Sequence, residues 1–146
     1  MTTPDRHLAP TQQAGRGFIM RGLEGEVVML NLLRLRDVAD DSATPELAPA
    51  MPISGAEAFN RNIRHTLPFI RDSDGELRFL GRGGSRLIGP ESKRWDLVMQ
   101  VNQRRVQSFL AFAQHEAYLS GISHRTAAIE DSLLLPLSEL PLEGAA

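Results

Sequence analysis

The sequence of 146 residues has no cysteine, so disulfides and thiolate metal sites are both excluded. Its one lysine, Lys93, stands against fifteen arginines, and the formal net charge is −2. A chain that gripped nucleic acid through bulk basicity would carry the opposite balance. No apolar run approaches the roughly 20 residues that cross a bilayer. Met1 to Pro10 has no apolar signal core. These absences make a cytoplasmic protein without membrane or nucleic-acid partners the default expectation. Metal motifs are missing as well. His115-Glu116 does not continue into the zinc-protease helix pattern, because position 119 is Leu. No Gly-Lys-Ser/Thr follows the glycines at 81–84, so no phosphate loop is present. No cofactor or metal is expected. Asp131-Ser132 lacks the context of a nucleophile elbow.

What is present is a core. The run Val27-Val28-Met29-Leu30-Asn31-Leu32-Leu33-Arg34-Leu35 reads as a strand buried on both faces. Val27, Met29, Asn31, Leu33 and Leu35 share one face; Val28, Leu30, Leu32 and Arg34 share the other. Each face holds one polar residue, which needs a partner or a polar cavity. Ahead of this strand, residues 1–25 form an N-terminal extension, with a short helix expected over 11–20 that turns Ala14, Phe18 and Ile19 inward. Behind it, 37–52 is acidic and holds three prolines, so it reads as a surface loop, lid or arm.

Ser54 and Glu57 have capping-box spacing. Phe59, Ile63, Leu67 and Ile70 then recur at helical spacing, with Arg61, His65 and Asp72 off the stripe. Pro68 is expected to kink the helix or end its regular part near Leu67. Leu77 to Leu80 reads as a strand, interrupted at 81–85 by a turn or bulge and resumed by Arg86 to Gly89. Trp95 to Gln103 is a second strong strand. Val106, Phe109, Leu110 and Ala113 give a second helix. Ala117 to Gly121 gives a short one that Gly121 closes. Leu133-Leu134-Leu135 is the last strand, stopping before Pro136, and 138–146 is a tail. The order strand, helix, strand, strand, helix, strand fits a ferredoxin-like α+β domain over 26–137, with both helices on one face of a four-stranded antiparallel sheet. The first and third strands are then central. The uncovered face stays apolar, and a second copy of the chain is its simplest cover.

Several features between Phe79 and Leu137 carry a resemblance. They are Gly83-Gly84 after a strand, Trp95-Asp96-Leu97-Val98 opening the next, Phe109, Ala117-Tyr118-Leu119, and Arg125-Thr126-Ala127-Ala128 leading to Asp131-Ser132. In this order, with the Val28 to Leu33 opening, they resemble the uncharacterised family called domain of unknown function thirteen-thirty. The resemblance implies a dimeric α/β barrel in which two ferredoxin-like sheets face each other. Related superfamilies hold cofactor-free monooxygenases, haem-degrading enzymes and muconolactone isomerase-like proteins. The acidic insertion after Arg36 departs from the shorter members.

Five residues are the candidates for chemistry. His65 and His124 are the proton carriers. Arg82, among glycines where backbone approaches a ligand closely, and Arg125 are the holders of a small anion or carboxylate. Asn31 is the orienting group. His115, Tyr118 and Asp131 are the nearest polar companions of His124 and Arg125. Each also has a plain structural reading: a solvated basic helix face for His65, a hairpin turn or bulge for Arg82, helix caps and edges for the cluster of His124 and Arg125, and structural hydrogen bonds for Asn31. The resulting expectation is a small-molecule binding protein or cofactor-free monooxygenase- or isomerase-like enzyme with a pocket between sheet and helices. The alternative is a non-catalytic dimer that binds a metabolite or protein.

Overall fold

The computed structural model describes residues 7–40 and 51–143. Its elements are α1 (Gln12–Met20), β1 (Val27–Leu35), α2 (Gly55–Asp72), β2 (Glu76–Ser85), β3 (Arg94–Gln103), α3 (Val106–Ala113), α4 (Glu116–Leu119), α5 (Ile122–Ala128) and β4 (Ile129–Ser138). The four strands form one antiparallel sheet in the order β2-β3-β1-β4. This is the ferredoxin-like arrangement that the order of elements demands, with the two most apolar strands at the centre.

β1 has the bounds that its apolar run dictates. Val27, Met29 and Leu33 are buried on the helix side. The other face differs from expectation. Val28, Leu30 and Leu32 are only half-buried, and Phe79, Leu133 and Leu135 beside them are exposed. Their register is continuous: Leu30 lies between Leu135 and Gln100, and Gln100 lies opposite Phe79. Neither hydrophobic cluster of the core includes these side chains.

α2 begins as its cap predicts: Glu57 N–H donates to Ser54 Oγ at 3.1 Å. The helix then runs through Pro68 to Asp72 instead of ending near Leu67. Pro68 and Arg64 are both exposed, so the Arg64 carbonyl that loses its helical donor faces water. The buried stripe is Gly55, Ala58, Phe59, Asn62, Thr66 and Ile70, with Ile63 and Leu67 half-buried beside it. In α1 only Phe18 turns inward, meeting Phe109 edge-on at 5.9 Å; Ala14 and Ile19 are exposed.

The glycines at 81–84 do not interrupt β2. The strand continues to Ser85, and its irregularity falls earlier, between Leu77 and Phe79. Gly81 lies under the Phe79 ring, and Gly83 passes so close to the Trp95 carbonyl that a Cβ would overlap it. The glycines thus serve close approach within a strand. Arg86 to Gly89 does not resume a strand but belongs to the loop before β3. Gly121 does not close the short helix; Ser120 does, and Gly121 is the N-cap of α5. β4 runs through Pro136, which is tolerated because β4 is an edge strand. Residues 41–50 of the acidic stretch, and the outermost residues of both tails, lie outside the described residues. Among the described residues no helix is long and apolar enough to cross a membrane.

Candidate functional site

The core is divided. One apolar cluster contains Val27, Met29, Ile70, Val101 and Val106; the other contains Leu33, Ala58, Phe59, Ala128 and Ile129. On β1 the residue between Met29 and Leu33 on the helix-facing row is Asn31. On α2 the buried residues between Phe59 and Ile70 are Asn62 and Thr66, only 5% and 9% exposed. β1 and α2 each contribute one end to each cluster, so these three polar residues lie between the two along both elements, a polar belt that Met99, opposite Asn31 on β3, interrupts. Thr66 Oγ1 donates to Asn62 Oδ1 at a long 3.4 Å. Asn31 Nδ2 donates to the Met29 carbonyl at 3.2 Å. This amide thus bonds to the backbone of its own strand, two residues back. Asn62 and Thr66 could not be picked out from sequence, because they resemble the solvated side of an amphipathic helix.

The five candidates do not gather round one cavity. His65 Nε2 lies 3.1 Å from the carbonyls of both Ala117 and Tyr118. Two carbonyls can only accept, so Nε2 carries the proton, and His65 ties α2 to α4. Its ring also packs on Phe69, which in turn packs on His115. Arg125 Nη1 donates to the Leu8 carbonyl at 3.0 Å. Burial lowers the Arg125 pKa, and the neighbouring Tyr118 opposes that shift. Burial raises the Tyr118 phenol, and Arg125 opposes it in turn. His124 is half-buried at the start of α5. Arg82 is exposed on β2, opposite Leu97. Two clefts of about 330 and 310 Å³ lie at the far end of the sheet, around Glu26, Arg78 and Asn102, and none of the five lines them. Among the described residues no group of three His, Asp or Glu side chains could hold a metal.

A second cluster involves a residue of the N-terminal extension. Asp131, 7% exposed, accepts at Oδ1 from His7 N–H, from Ser132 N–H and across 2.9 Å from His7 Nδ1. Ser132 Oγ donates to the His7 carbonyl. Residues 7 and 8 are thereby strapped onto β4 and α5. Burial by itself pushes the Asp131 carboxyl up, but the donors from His7 and Ser132 and the His7 charge outweigh it and hold the pKa below its ordinary value. A carboxyl with a depressed folded pKa stabilises the fold above its unfolded pKa, and that contribution is lost as pH falls through the folded value. Asp131→Asn is therefore expected to lower stability at neutral pH by about 1–3 kcal/mol. It should also flatten the acid side of the melting-temperature profile. Melting curves from neutral pH down to about pH 3 check this; an unchanged acid limb refutes it.

α2 and α3 pack on one side of a four-stranded antiparallel sheet, which makes this a ferredoxin-like α+β protein. A protein of unknown function from Rhodopseudomonas palustris is similar to it over nearly the whole length, with 31% identity, a TM-score of 0.80, and coverage of 94% of this chain and 99% of that one. The chain belongs to the family of that protein. The methylated form of the same protein superposes with a TM-score of 0.83. A dimeric ferredoxin-like protein of unknown function from Jannaschia shares the fold at 12% identity and a TM-score of 0.51, covering 79% of this chain and all of that one. No family model matches the chain, and no curated protein does either.

Proposed function

We propose that the chain is a homodimeric small-molecule-binding module, with its ligand held between sheet and α2 at the Asn31, Asn62 and Thr66 level. The belt carries this reading. Its three side chains hydrogen-bond but do not titrate near neutral pH, so they suit recognition better than proton transfer. Thr66 and Asn62 are joined only by a long bond of 3.4 Å, which a ligand group could replace with a shorter one. The dispersal of His65, Arg82, His124 and Arg125 also favours binding over catalysis.

The dimer rests on the open sheet face. Leu30, Leu32, Phe79, Leu133 and Leu135 form one apolar surface that none of the described elements covers. The Jannaschia protein is itself dimeric.

A melting-temperature screen against small carboxylates and amides tests the ligand site. The expected result is a stabilising subset whose effect vanishes in Asn62→Leu/Thr66→Val. Replacing both polar partners by apolar groups of similar shape is close to neutral for stability. The double variant should thus melt at or above the parent temperature. A clear drop without ligand means the belt is structural and sinks the proposal.

A further inference from the structure

β1 leaves β3 after the Leu33–Leu97 pair, whereas β2 and β3 stay paired to Ser85–Arg94. The end of that two-stranded ribbon therefore projects past its neighbour. The loop at its tip is folded: Arg86 Nε donates to the Gly89 carbonyl at 3.2 Å, and Lys93 N–H to the Pro90 carbonyl at 3.0 Å. Gly89 holds φ 142°, a conformation that suits glycine. What the folded tip presents is Leu87, 99% exposed, and Ile88, 91% exposed. Two adjacent aliphatic side chains in that state on an ordered tip point to a partner.

We infer that the β2–β3 tip is a dimerisation arm, and that Leu87 and Ile88 of each copy seat in the cleft around Glu26 and Asn102 at the far end of the other copy's sheet. This rests on the homodimer reading above. Three observations converge on the second copy as occupant. The first is area. Four strands about 4.8 Å apart and about nine residues long give a face of roughly 600 Å², short of the ~800 Å² per partner of a standard interface. Arms from both copies supply the difference. The second is shape. The cleft has about 310 Å³, room for two aliphatic side chains; Val28 and Leu137 are its apolar wall, and the rest of its lining, Glu26, Arg78, Gln100, Asn102, Ser138 and Glu139, is polar. The third is charge. At the cleft end Glu26, Asp74, Glu76 and Glu139 outnumber Arg78 and Arg104. At the tip Arg86, Lys93 and Arg94 outnumber Glu91. A two-fold axis lying across the strands brings these opposite ends together, twice over, as an isologous contact requires.

The absence of cysteine makes cross-linking a clean test. Ile88→Cys and Glu26→Cys chains are prepared separately, mixed, and treated with a short bis-maleimide. The expected result is a covalent dimer from the mixture and none from Ile88→Cys alone. Leu87→Ser/Ile88→Ser should weaken dimerisation by tenfold or more, on the order expected for two aliphatic side chains left in water. Cross-linking of Ile88→Cys to itself would place tip against tip and overturn the arrangement. A parent protein that is dimeric by light scattering, yet gives no cross-link and is indifferent to the double serine change, overturns the arm and leaves the dimer standing. A parent monomer overturns both. A monomer that pellets with anionic phospholipid vesicles, only when Leu87 and Ile88 are intact, assigns the tip to a membrane instead.

Discussion

Gly55→Ala is expected to destabilise the protein by about 3 kcal/mol, the upper end of the range for overpacking. For a chain of this size that lowers the melting temperature by roughly 10 °C. Gly55 is the first residue of α2, and three elements meet there. Its N–H donates to the Arg36 carbonyl at 3.0 Å, and Arg36 N–H donates to the Ala128 carbonyl at 2.8 Å. A Cβ on Gly55 would overlap the Arg36 carbonyl and lie 2.8 Å from Arg36 N and 2.9 Å from Ala128 O. All three are backbone atoms, held by the end of β1 and the end of α5, so none can swing aside as a side chain would. Relief requires the start of α2 to move away from the sheet, which loosens Ala58 and Phe59 from Leu33. Gly17→Ala in α1 is the control, because no atom lies within 4 Å of its Cβ position. There the helix-propensity gain should raise stability slightly. Chemical denaturation of the two variants side by side checks the pair. A Gly55→Ala protein within about 0.5 kcal/mol of the parent would mean that the junction is not rigid.

Gly55 also illustrates what the sequence makes legible. Ser54 and Glu57 mark the helix start from local chemistry, and the bond from Glu57 N–H to Ser54 Oγ bears that out. β1 is equally local: nine residues of apolar pattern define both its ends. The central placing of β1 and β3 follows because only those strands are apolar enough to be flanked on both sides. The errors come where tertiary contact overrides a local signal. Gly81 and Gly83 look like a turn, but the Phe79 ring and the Trp95 carbonyl need the space that a Cβ would fill. Pro136 looks like a stop, yet an edge strand admits it. The belt illustrates the same limit at the candidate site. Asn31 stands out in an apolar strand, but Asn62 and Thr66 are ordinary helix residues until the sheet packs over them. His7 is an unremarked residue of the N-terminal extension until Asp131, 124 positions away, accepts its hydrogen bonds. No periodicity reports such a pair.

The division of the core by that belt has an energetic consequence. Phe59 is 1% exposed and packs with Leu33, Ala58, Ala128 and Ile129. Phe59→Ala removes most of a fully buried aromatic side chain and should cost about 3–5 kcal/mol, the transfer loss plus the cavity left behind. Ile70→Val removes one methyl group from the other cluster, beside Val27, Met29 and Val101, and should cost about 0.5–1.5 kcal/mol. The two positions are eleven residues apart on α2, roughly 16 Å along the helix axis. With Asn62 and Thr66 between them, neither side chain can relax into the space that the other leaves. The double variant should therefore lose the sum of the two single losses, to within about 0.5 kcal/mol. A continuous apolar core would behave differently, because the Phe59 cavity would let Ile70 and its neighbours repack, and the second substitution would cost less than it does alone. A coupling energy above about 1 kcal/mol in this cycle would thus refute the belt as a partition. Additivity is what the separation of about 16 Å already predicts for two such sites, so it is a coupling energy, and not its absence, that bears on the partition.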